Sequence, residues 1–354
     1  MKLVGVIGCG GKIGKNICRY LSKDYFVKGG QRHKPVELSD LDNFTWEELD
    51  IYDKGQLNEF CKGCDMIINC AGPAYVISRT IAESSANMGA VYLDVSDALA
   101  ADSGFIEKMA QSGEYIIAAG YYPGLVGMLI RSLSEHFDTI ESIRGISGGD
   151  EAFTAISCID IALSGESGYA VSDSYWENGS FHRSDEKFRL DFCEAVGKKV
   201  YIKRFISNEI AVLLNEMNIG RLDWFDISEN NGAGIAAMKY YSLRDKYDMN
   251  EVIGRLSESI SKMNNDSRKE WNVLDITADG QKDDEYKSIH IRLEFGGTYG
   301  ITALAVAEAA KAAMEKERSK GIIWANTIIP FSAIENYKKI DDSFVFSYEE
   351  EFEI

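Results

Sequence analysis

The first 125 residues alternate between short apolar runs and amphipathic stretches. Leu3–Ile7 is apolar and ends at Gly8, after which Ile13, Ile17 and Leu21 recur at helical spacing. Later apolar runs predict five more strands, at Tyr25–Gly30, Trp46–Asp53 (the strand together with its exit), Asp65–Gly72, Val91–Ser96 and Tyr115–Gly120, with a helix at Ile81–Met88. Strands that alternate with helices predict an α/β fold built on a doubly wound parallel sheet.

The hydrophobic pattern changes after residue 139. Ile140–Ile146 and Ser288–Phe295 alternate apolar and polar positions, which predicts strands with one buried face in a mixed or antiparallel sheet. Helices are predicted over Ala236–Tyr247 and Val252–Met263. The second half is therefore expected to form an α+β domain.

The C-terminal part contains a helix-forming run and an acidic end. Ile301–Glu317 is rich in Ala, Glu and Lys, and we expect this helix to return to the first domain. The acidic segment Tyr348–Glu353 is predicted to be a solvated terminus, with docking of its aromatic side chains as the alternative. The predicted division is a first α/β domain over 1–124, completed by 300–354, and an α+β domain over 125–299.

Composition excludes several classes of protein. The chain has 38 Lys and Arg against 56 Asp and Glu, a net charge of -18, which disfavours a nucleic-acid partner. No apolar stretch reaches the roughly 20 residues of a membrane span, so no membrane contact is expected. The seven cysteines are an odd number without framework spacing, which favours reduced thiols and a cytoplasmic location.

A glycine-rich turn follows the first strand. It reads Gly8-Cys9-Gly10-Gly11-Lys12-Ile13-Gly14 and precedes the first helix. Such a turn lets the backbone approach a pyrophosphate at the positive end of the helix. The third glycine falls one place late, because Ile13 stands where the strict G-x-G-x-x-G pattern has it. The turn predicts a dinucleotide site formed by Gly8, Gly10, Gly11, Lys12, Ile13 and Gly14; a tight turn without a ligand is the alternative.

The end of the second strand favours NADP over NAD. It reads Gln31-Arg32-His33-Lys34 and lacks the acidic residue that binds the ribose 2′-hydroxyl of NAD. The Arg32 guanidinium suits a 2′-phosphate, and its neighbours add positive charge. The alternative is a solvated basic loop. Asp50, at the exit of the third strand, is also expected at the cofactor site.

Ligands of such sheets bind at the carboxyl ends of the strands. Those ends are Asn69–Pro73, Asp94–Asp97 and Gly120–Gly124, and from them Cys70, Ala71, Gly72, Pro73 and Ser96 are predicted to contact the cofactor.

The same strand ends hold the candidate proton donors. Asp94 is the first candidate, Tyr122 the second, and Asp97 and Tyr75 lie nearby. The alternative for Asp94 is a structural cap of the next turn, and for Tyr122 a buried ring whose hydroxyl is hydrogen-bonded.

Two other motifs are weaker indications of a functional site. Cys61-Lys62-Gly63-Cys64 has no second pair of ligands elsewhere, so a connecting turn is expected and a metal site is not. His182 in the second domain is a candidate substrate contact, with an exposed loop histidine as the alternative.

Four segments together resemble the saccharopine dehydrogenase-like family. They are the glycine turn, Asn69–Pro73, Tyr92–Ser96 and Gly120–Gly124. The resemblance implies that 1–124 with 300–354 is a nicotinamide-binding Rossmann domain, that 125–299 is an inserted α+β substrate and dimerisation domain, and that the protein is often a dimer. It matches Gly72 and Pro73 to the loop at the nicotinamide ribose, and Asp94 and Ser96 to the strand end that faces the cleft. More loosely, Gly168-Tyr169 followed by Trp176-Glu177-Asn178-Gly179 resembles the substrate domain of the family.

The resemblance implies an NADP-dependent oxidoreductase that transfers hydride at a carbon bonded to nitrogen in an amino-acid-like substrate. Two alternatives stay open: a transferase related to homospermidine synthase that keeps its nicotinamide, and a non-catalytic NADPH-sensing dimer. We also expect a homodimer formed through the sheet of the second domain.

Overall fold

The computed structural model describes residues 1–109, 111–166, 170–263 and 269–353. These residues form two compact units. The first unit comprises Met1–Met128 and Tyr299–Ala333, and the second comprises Leu129–Thr298 and Ile334–Ile354. The predicted return of 300–354 to the first domain is therefore wrong for residues 334–354, which belong to the second unit.

The strands of both units are, in chain order, β1 (Leu3–Ile7), β2 (Phe26–Gln31), β3 (Phe44–Glu48), β4 (Met66–Asn69), β5 (Val91–Asp94), β6 (Glu114–Ile117), β7 (Thr139–Asp150), β8 (Val171–Ser172), β9 (Ser174–Glu177), β10 (Ser180–Arg183), β11 (Arg189–Cys193), β12 (Lys198–Ile206), β13 (Arg221–Ser228), β14 (Trp271–Lys282), β15 (Glu285–Phe295), β16 (Gly321–Trp324) and β17 (Val345–Glu353). The α-helices are α1 (Lys12–Leu21), α2 (Lys54–Cys61), α3 (Ala74–Asn87), α4 (Ser103–Met109), α5 (Leu125–Ser132), α6 (Ala155–Glu166), α7 (Asn208–Met217), α8 (Gly232–Leu243), α9 (Met249–Ser261), α10 (Thr298–Glu315) and α11 (Ser332–Lys338). No helix in the described part of the chain is long and apolar enough to cross a membrane.

The first unit contains a seven-stranded sheet in the order β16-β6-β5-β4-β1-β2-β3. Every neighbouring pair in it is parallel. Its central strands are short apolar runs because both faces of the sheet are covered; β4 and β5 are buried throughout. The strand order reverses at β1, so the crevice that receives ligands lies at the carboxyl ends of β1 and β4. The predicted doubly wound parallel fold is confirmed.

The third strand occupies the start of the predicted segment, and the exit occupies the rest. The strand ends at Glu48, and the chain then turns into α2, which Asp53 caps. The Asp53 carboxylate accepts hydrogen bonds from the backbone N–H groups of Gly55 and Gln56, at 2.9 and 3.1 Å. The acidic residues after position 49 therefore start a helix instead of extending the strand.

The second unit contains a ten-stranded mixed sheet. Its long central strand β7 pairs in parallel with β13 and antiparallel with β14, and β14 forms a hairpin with β15. Helices α6, α8 and α9 pack together around a separate apolar cluster. The predicted second α+β domain with a mixed sheet is confirmed.

The C-terminal segment is a strand rather than a solvated terminus. β17 pairs antiparallel with β15 along its whole length, for example at Tyr348 and Ile291. Glu350 links β17 to β15, because its carboxylate pairs with the Lys287 ammonium at 3.1 Å. The same carboxylate accepts from the Tyr348 hydroxyl of its own strand at 2.6 Å. The run of glutamates suggests solvent exposure, yet backbone pairing needs no apolar side chain.

One face of the second sheet is strongly polar. The strand register places Arg144, Asp223, Asp275, His290 and Arg292 on it. The His290 ring nitrogen Nε2 lies 3.2 Å from an Asp275 carboxylate oxygen, and Arg292 pairs with the same carboxylate. We call these five residues the polar face.

Candidate cofactor site

The glycine turn between β1 and α1 needs at least two of its glycines for packing. Gly8 has φ +83°, and a Cβ there would lie 2.8 Å from the backbone nitrogen of Ala71. A Cβ on Gly14 would lie 2.2 Å from the carbonyl oxygen of Gly8, although Gly14 stands one place later than the strict motif requires. Backbone of the turn, of α1 and of the loop after β4 therefore meets at van der Waals distance.

The start of α1 fits an anionic ligand. Gly11 is the N-cap residue of α1, and no side chain in the described chain caps the helix there. Gly11 and Lys12 are exposed, and a Cβ on Gly11 would meet only the Gly8 carbonyl oxygen, at 3.3 Å. Packing therefore does not explain Gly11, whereas close approach of a phosphate to uncapped N–H groups does. The residues present fit the pyrophosphate of a dinucleotide.

Gln31 links the glycine turn to the end of β2, a role that the sequence did not reveal. Its side-chain oxygen accepts from the Gly10 backbone N–H at 2.7 Å, and its Nε2 donates to the carbonyl oxygen of His33. A neutral amide thus takes the position where an NAD enzyme has its acidic residue. No sequence rule would have paired Gln31 with Gly10, because they lie on different elements.

Arg32, His33 and Lys34 are all exposed beyond this link. Among the described residues, Arg32 forms no ion pair. Nearby, Lys15 is paired with Glu37 at 2.9 Å. The guanidinium of Arg32 is therefore accessible to an external anion, which both the 2′-phosphate hypothesis and the solvated-loop alternative require.

Asp50 lies in the turn between β3 and α2. Its Oδ1 accepts from the Tyr52 backbone N–H at 3.0 Å, and its own N–H donates to Gln56 Oε1 at 3.1 Å. The side chain is exposed and stabilises a local turn. Its cofactor contact stays a prediction.

A buried amide organises the loop after β4. Asn69 Oδ1 accepts from the Ala71 backbone N–H at 3.1 Å, which shapes the loop that contains Cys70, Gly72 and Pro73. Asn69 Nδ2 lies 3.2 Å from Ser78 Oγ. The predicted cofactor residues from Cys70 to Pro73 are thus held by a residue that is itself only 1% exposed.

Asp94 lies at the centre of the same polar network. One carboxyl oxygen accepts from Asn69 Nδ2 at 3.2 Å and from the Tyr92 hydroxyl, and the other accepts from the N–H and hydroxyl of Ser96, at 2.8 and 2.9 Å. Asp94 is 1% exposed. Burial and then the neighbouring Asp94 carboxyl raise the pKa of Tyr92 well above its ordinary value, so the phenol remains a donor. These contacts match the turn-capping alternative for Asp94.

Two other proton-donor candidates, Tyr75 and Asp97, lie together. The Tyr75 hydroxyl at the start of α3 is 3.4 Å from an Asp97 carboxylate oxygen after β5, and both side chains are half-buried. Tyr122 is half-buried in the loop between β6 and α5. Three candidates therefore stand at the carboxyl ends of neighbouring strands.

The cysteine motif forms a structural turn. Cys61 ends α2, and both Cys61 and Cys64 are free and buried. Burial raises the pKa of Cys61 to about 12 and that of Cys64 to about 11, so both are neutral thiols at physiological pH. At the cofactor loop, burial likewise raises the pKa of Cys70 well above its ordinary range.

In the second unit, the segment that resembles a substrate domain forms the β9–β10 hairpin. The Trp176 indole donates to the carbonyl oxygen of Ile219 at 2.9 Å, and Asn178 and Gly179 make the turn with φ of +49° and +84°. His182 is exposed on β10 and stacks on Tyr175 with ring centroids 5.4 Å apart. Gly168 and Tyr169 lie outside the described residues.

Comparison with known proteins supports the resemblance. Residues 4–115 match the family model described as the saccharopine dehydrogenase NADP binding domain. No curated protein matches the sequence significantly. Among solved structures, the apo, histidine-tagged saccharopine dehydrogenase (L-Glu forming) from Saccharomyces cerevisiae is similar over 100% of both chains, with a TM-score of 0.65 and 13% identity.

A short-chain dehydrogenase/reductase from Veillonella parvula, in complex with NADP, is similar over 30% of this chain and 56% of its own, with 16% identity and a TM-score of 0.25. That similarity is too low to support an argument. The family match and the fold along the whole chain agree with each other. Residues 4–115 thus match the family of saccharopine dehydrogenase NADP binding domains, and the fold of the whole chain is similar to that of a saccharopine dehydrogenase.

Proposed function

We propose that the protein is an NADP-dependent oxidoreductase that transfers hydride at a carbon bonded to nitrogen in an amino-acid-derived substrate. The observation that carries the proposal is the uncapped start of α1, next to a strand end with an exposed, unpaired arginine among the described residues. The family match supports the nicotinamide cofactor. The C–N chemistry and the small, amino-acid-like substrate rest on the family resemblance.

In this proposal the start of α1 and the end of β2 bind different phosphates of the cofactor. The N–H groups at Gly11 and Lys12 would hold the pyrophosphate, and the Arg32 guanidinium would hold the 2′-phosphate. Gln31 adds no negative charge beside that phosphate, unlike the acidic residue of an NAD site.

The residues at the carboxyl ends of β4 and β5 would orient the nicotinamide and supply the proton. The family resemblance matches Gly72 and Pro73, in the loop shaped by Asn69, to the loop at the nicotinamide ribose, and this supports the proposed position. When bound, the cofactor accepts or donates the hydride, and the protein supplies only position and one proton. We favour the Tyr75–Asp97 pair for the proton, because its groups are half-buried, whereas the Asp94 oxygens already accept four hydrogen bonds.

The decisive measurement is a titration with NADPH and with NADH, followed by the fluorescence of the reduced nicotinamide. We expect tighter NADPH binding, and Arg32→Ala should weaken NADPH binding by about tenfold or more while leaving NADH binding unchanged, since a charged hydrogen bond contributes about 1.5–3 kcal/mol. Lys34→Ala is the matched control, because it removes an exposed cation two residues away.

Each other outcome has a defined meaning. Equal binding of the two cofactors would refute the preference for NADP, and binding of neither would refute the proposed function. If NADPH binds, turnover with a panel of imines formed from amino acids and keto acids tests the C–N chemistry. Cofactor that survives gel filtration without net NADPH consumption would instead favour the transferase alternative.

We also propose that the protein is a homodimer formed through the sheet of its second unit. The polar face supports this proposal, because its alternating charges are self-complementary, as a two-fold interface requires. Arg144 is exposed there. Sedimentation at micromolar concentration should give a dimer, and Arg144→Glu, which adds a second negative charge beside Asp223, should weaken it. A monomeric wild-type protein would contradict the proposal.

A further inference from the structure

Helix α10 runs parallel to α1 within the first unit. Near its start, the Tyr299 ring lies under the Lys12 ammonium, with 4.3 Å between Nζ and the ring centroid. Near its end, Lys311 Nζ pairs with the Asp24 carboxylate at 2.9 Å. The same number of residues separates Lys12 from Asp24 as separates Tyr299 from Lys311, so the two helices run in the same direction. The first turn of α10 therefore lies beside the glycine turn.

The contact places Tyr299 at the proposed cofactor site. Lys12 is the first residue of α1, next to the uncapped Gly11. Its ammonium would otherwise rotate freely, since Lys12 is exposed and forms no ion pair with the described residues. Tyr299 is half-buried and therefore offers a fixed aromatic surface. A cation held over an aromatic face has lost part of its rotational freedom before any ligand binds.

We propose that Tyr299 is a positioning residue of the cofactor site: its ring holds the Lys12 ammonium beside the glycine turn, ready for the pyrophosphate. The inference rests on the proposed function and names a residue that the sequence did not indicate. A side-chain cation that is already positioned in the free protein strengthens binding, because it loses less conformational entropy when the ligand binds. Tyr299 thus acts through Lys12, and the effect is confined to ligands that carry phosphate at the 5′ side.

The test is a double-mutant cycle on NADPH affinity. Tyr299→Leu should weaken NADPH binding about three- to fivefold, and Tyr299→Phe, which keeps the ring, should weaken it less than twofold. In a Lys12→Met background, Tyr299→Leu should have no further effect. If Tyr299→Leu proves unstable in urea unfolding, Tyr299→Met replaces it.

A second ligand separates positioning from general damage to the fold. Adenosine 2′-monophosphate carries the phosphate that Arg32 is proposed to bind but lacks the pyrophosphate. Its affinity should not change in Tyr299→Leu and should fall in Arg32→Ala.

An equal loss for NADPH and adenosine 2′-monophosphate, or an undiminished loss in the Lys12→Met background, would overturn the role of Tyr299. Absence of NADPH binding by the wild-type protein would instead refute the proposed function itself. The two failures are therefore distinguishable.

Discussion

Replacement of Asp94 by asparagine tests whether this residue is a proton donor or a structural anchor. The two side chains have the same shape, so Asp94→Asn creates no cavity. One side of the new amide can still accept from the N–H and hydroxyl of Ser96. The other side becomes an NH₂ group that faces Asn69 Nδ2, which lies 3.2 Å from the present carboxyl oxygen, and the Tyr92 hydroxyl. Two donors then oppose each other in a site that is 1% exposed.

The loss of stability in Asp94→Asn follows from the hydrogen bonds that the substitution removes. A buried donor without an acceptor costs about 1–3 kcal/mol, and the charge-assisted bond from Tyr92 adds a similar amount. We expect Asp94→Asn to lower the free energy of unfolding by about 3 kcal/mol, a large part of the roughly 5–15 kcal/mol of a typical domain. Tyr92→Phe removes one donor and leaves the carboxyl in place, so it should cost about half as much.

Urea unfolding followed by circular dichroism measures both variants, and NADPH titration of the folded fraction gives their binding. The structural interpretation requires a clear loss of stability with little change in the pH dependence of turnover. An Asp94→Asn protein as stable as wild type, but without turnover, would refute this reasoning and restore Asp94 as the proton donor.

Two further predictions concern the glycine turn and the last strand. Gly14→Ala should lower the free energy of unfolding by more than about 2 kcal/mol and abolish NADPH binding, because its Cβ would lie 2.2 Å from a backbone oxygen. Gly11→Ala should leave stability nearly unchanged and weaken only NADPH binding. Thermal unfolding and NADPH titration of the two variants test this difference. The hydrogen bond from Tyr348 and the ammonium of Lys287 hold the pKa of Glu350 below its ordinary 4.5, so the stability that it contributes is present above that pH and is lost as pH falls through the lower folded value. Amide protection factors of β17 should therefore drop in the wild type as the pH falls below 4.5, and this drop should be absent in Glu350→Gln; equal pH dependence in both proteins would contradict this assignment.

The sequence predicted the parallel sheet well because its central strands are covered on both faces. Strands such as β4 and β5 are therefore short, mostly apolar runs, and each ends at a polar residue, Asn69 or Asp94. Alternation likewise revealed β15, whose side chains are buried at every second position over most of its length. In both cases the signal lies within one segment of the chain.

The features that the sequence did not predict depend on contacts between segments that are distant in the chain. Asn69 and Asp94 lie 25 residues apart, and only the pairing of β4 with β5 brings them together. Gln31 and Gly10 meet for the same reason, across two parallel strands. The acidic sequence of β17 does not indicate a strand, because the strand is stabilised by hydrogen bonds to the backbone of β15.

The position of β17 also bears on how the protein avoids aggregation. Among the described residues, no strand pairs with its outer side, so β17 is one edge of the second sheet. Its sequence places Glu349, Glu350 and Glu351 in succession along that edge. A row of open backbone groups invites pairing with another chain, and a dense negative charge repels an identical edge. The acidic segment, which composition predicted to be a solvated terminus, thus protects the edge of this ten-stranded sheet.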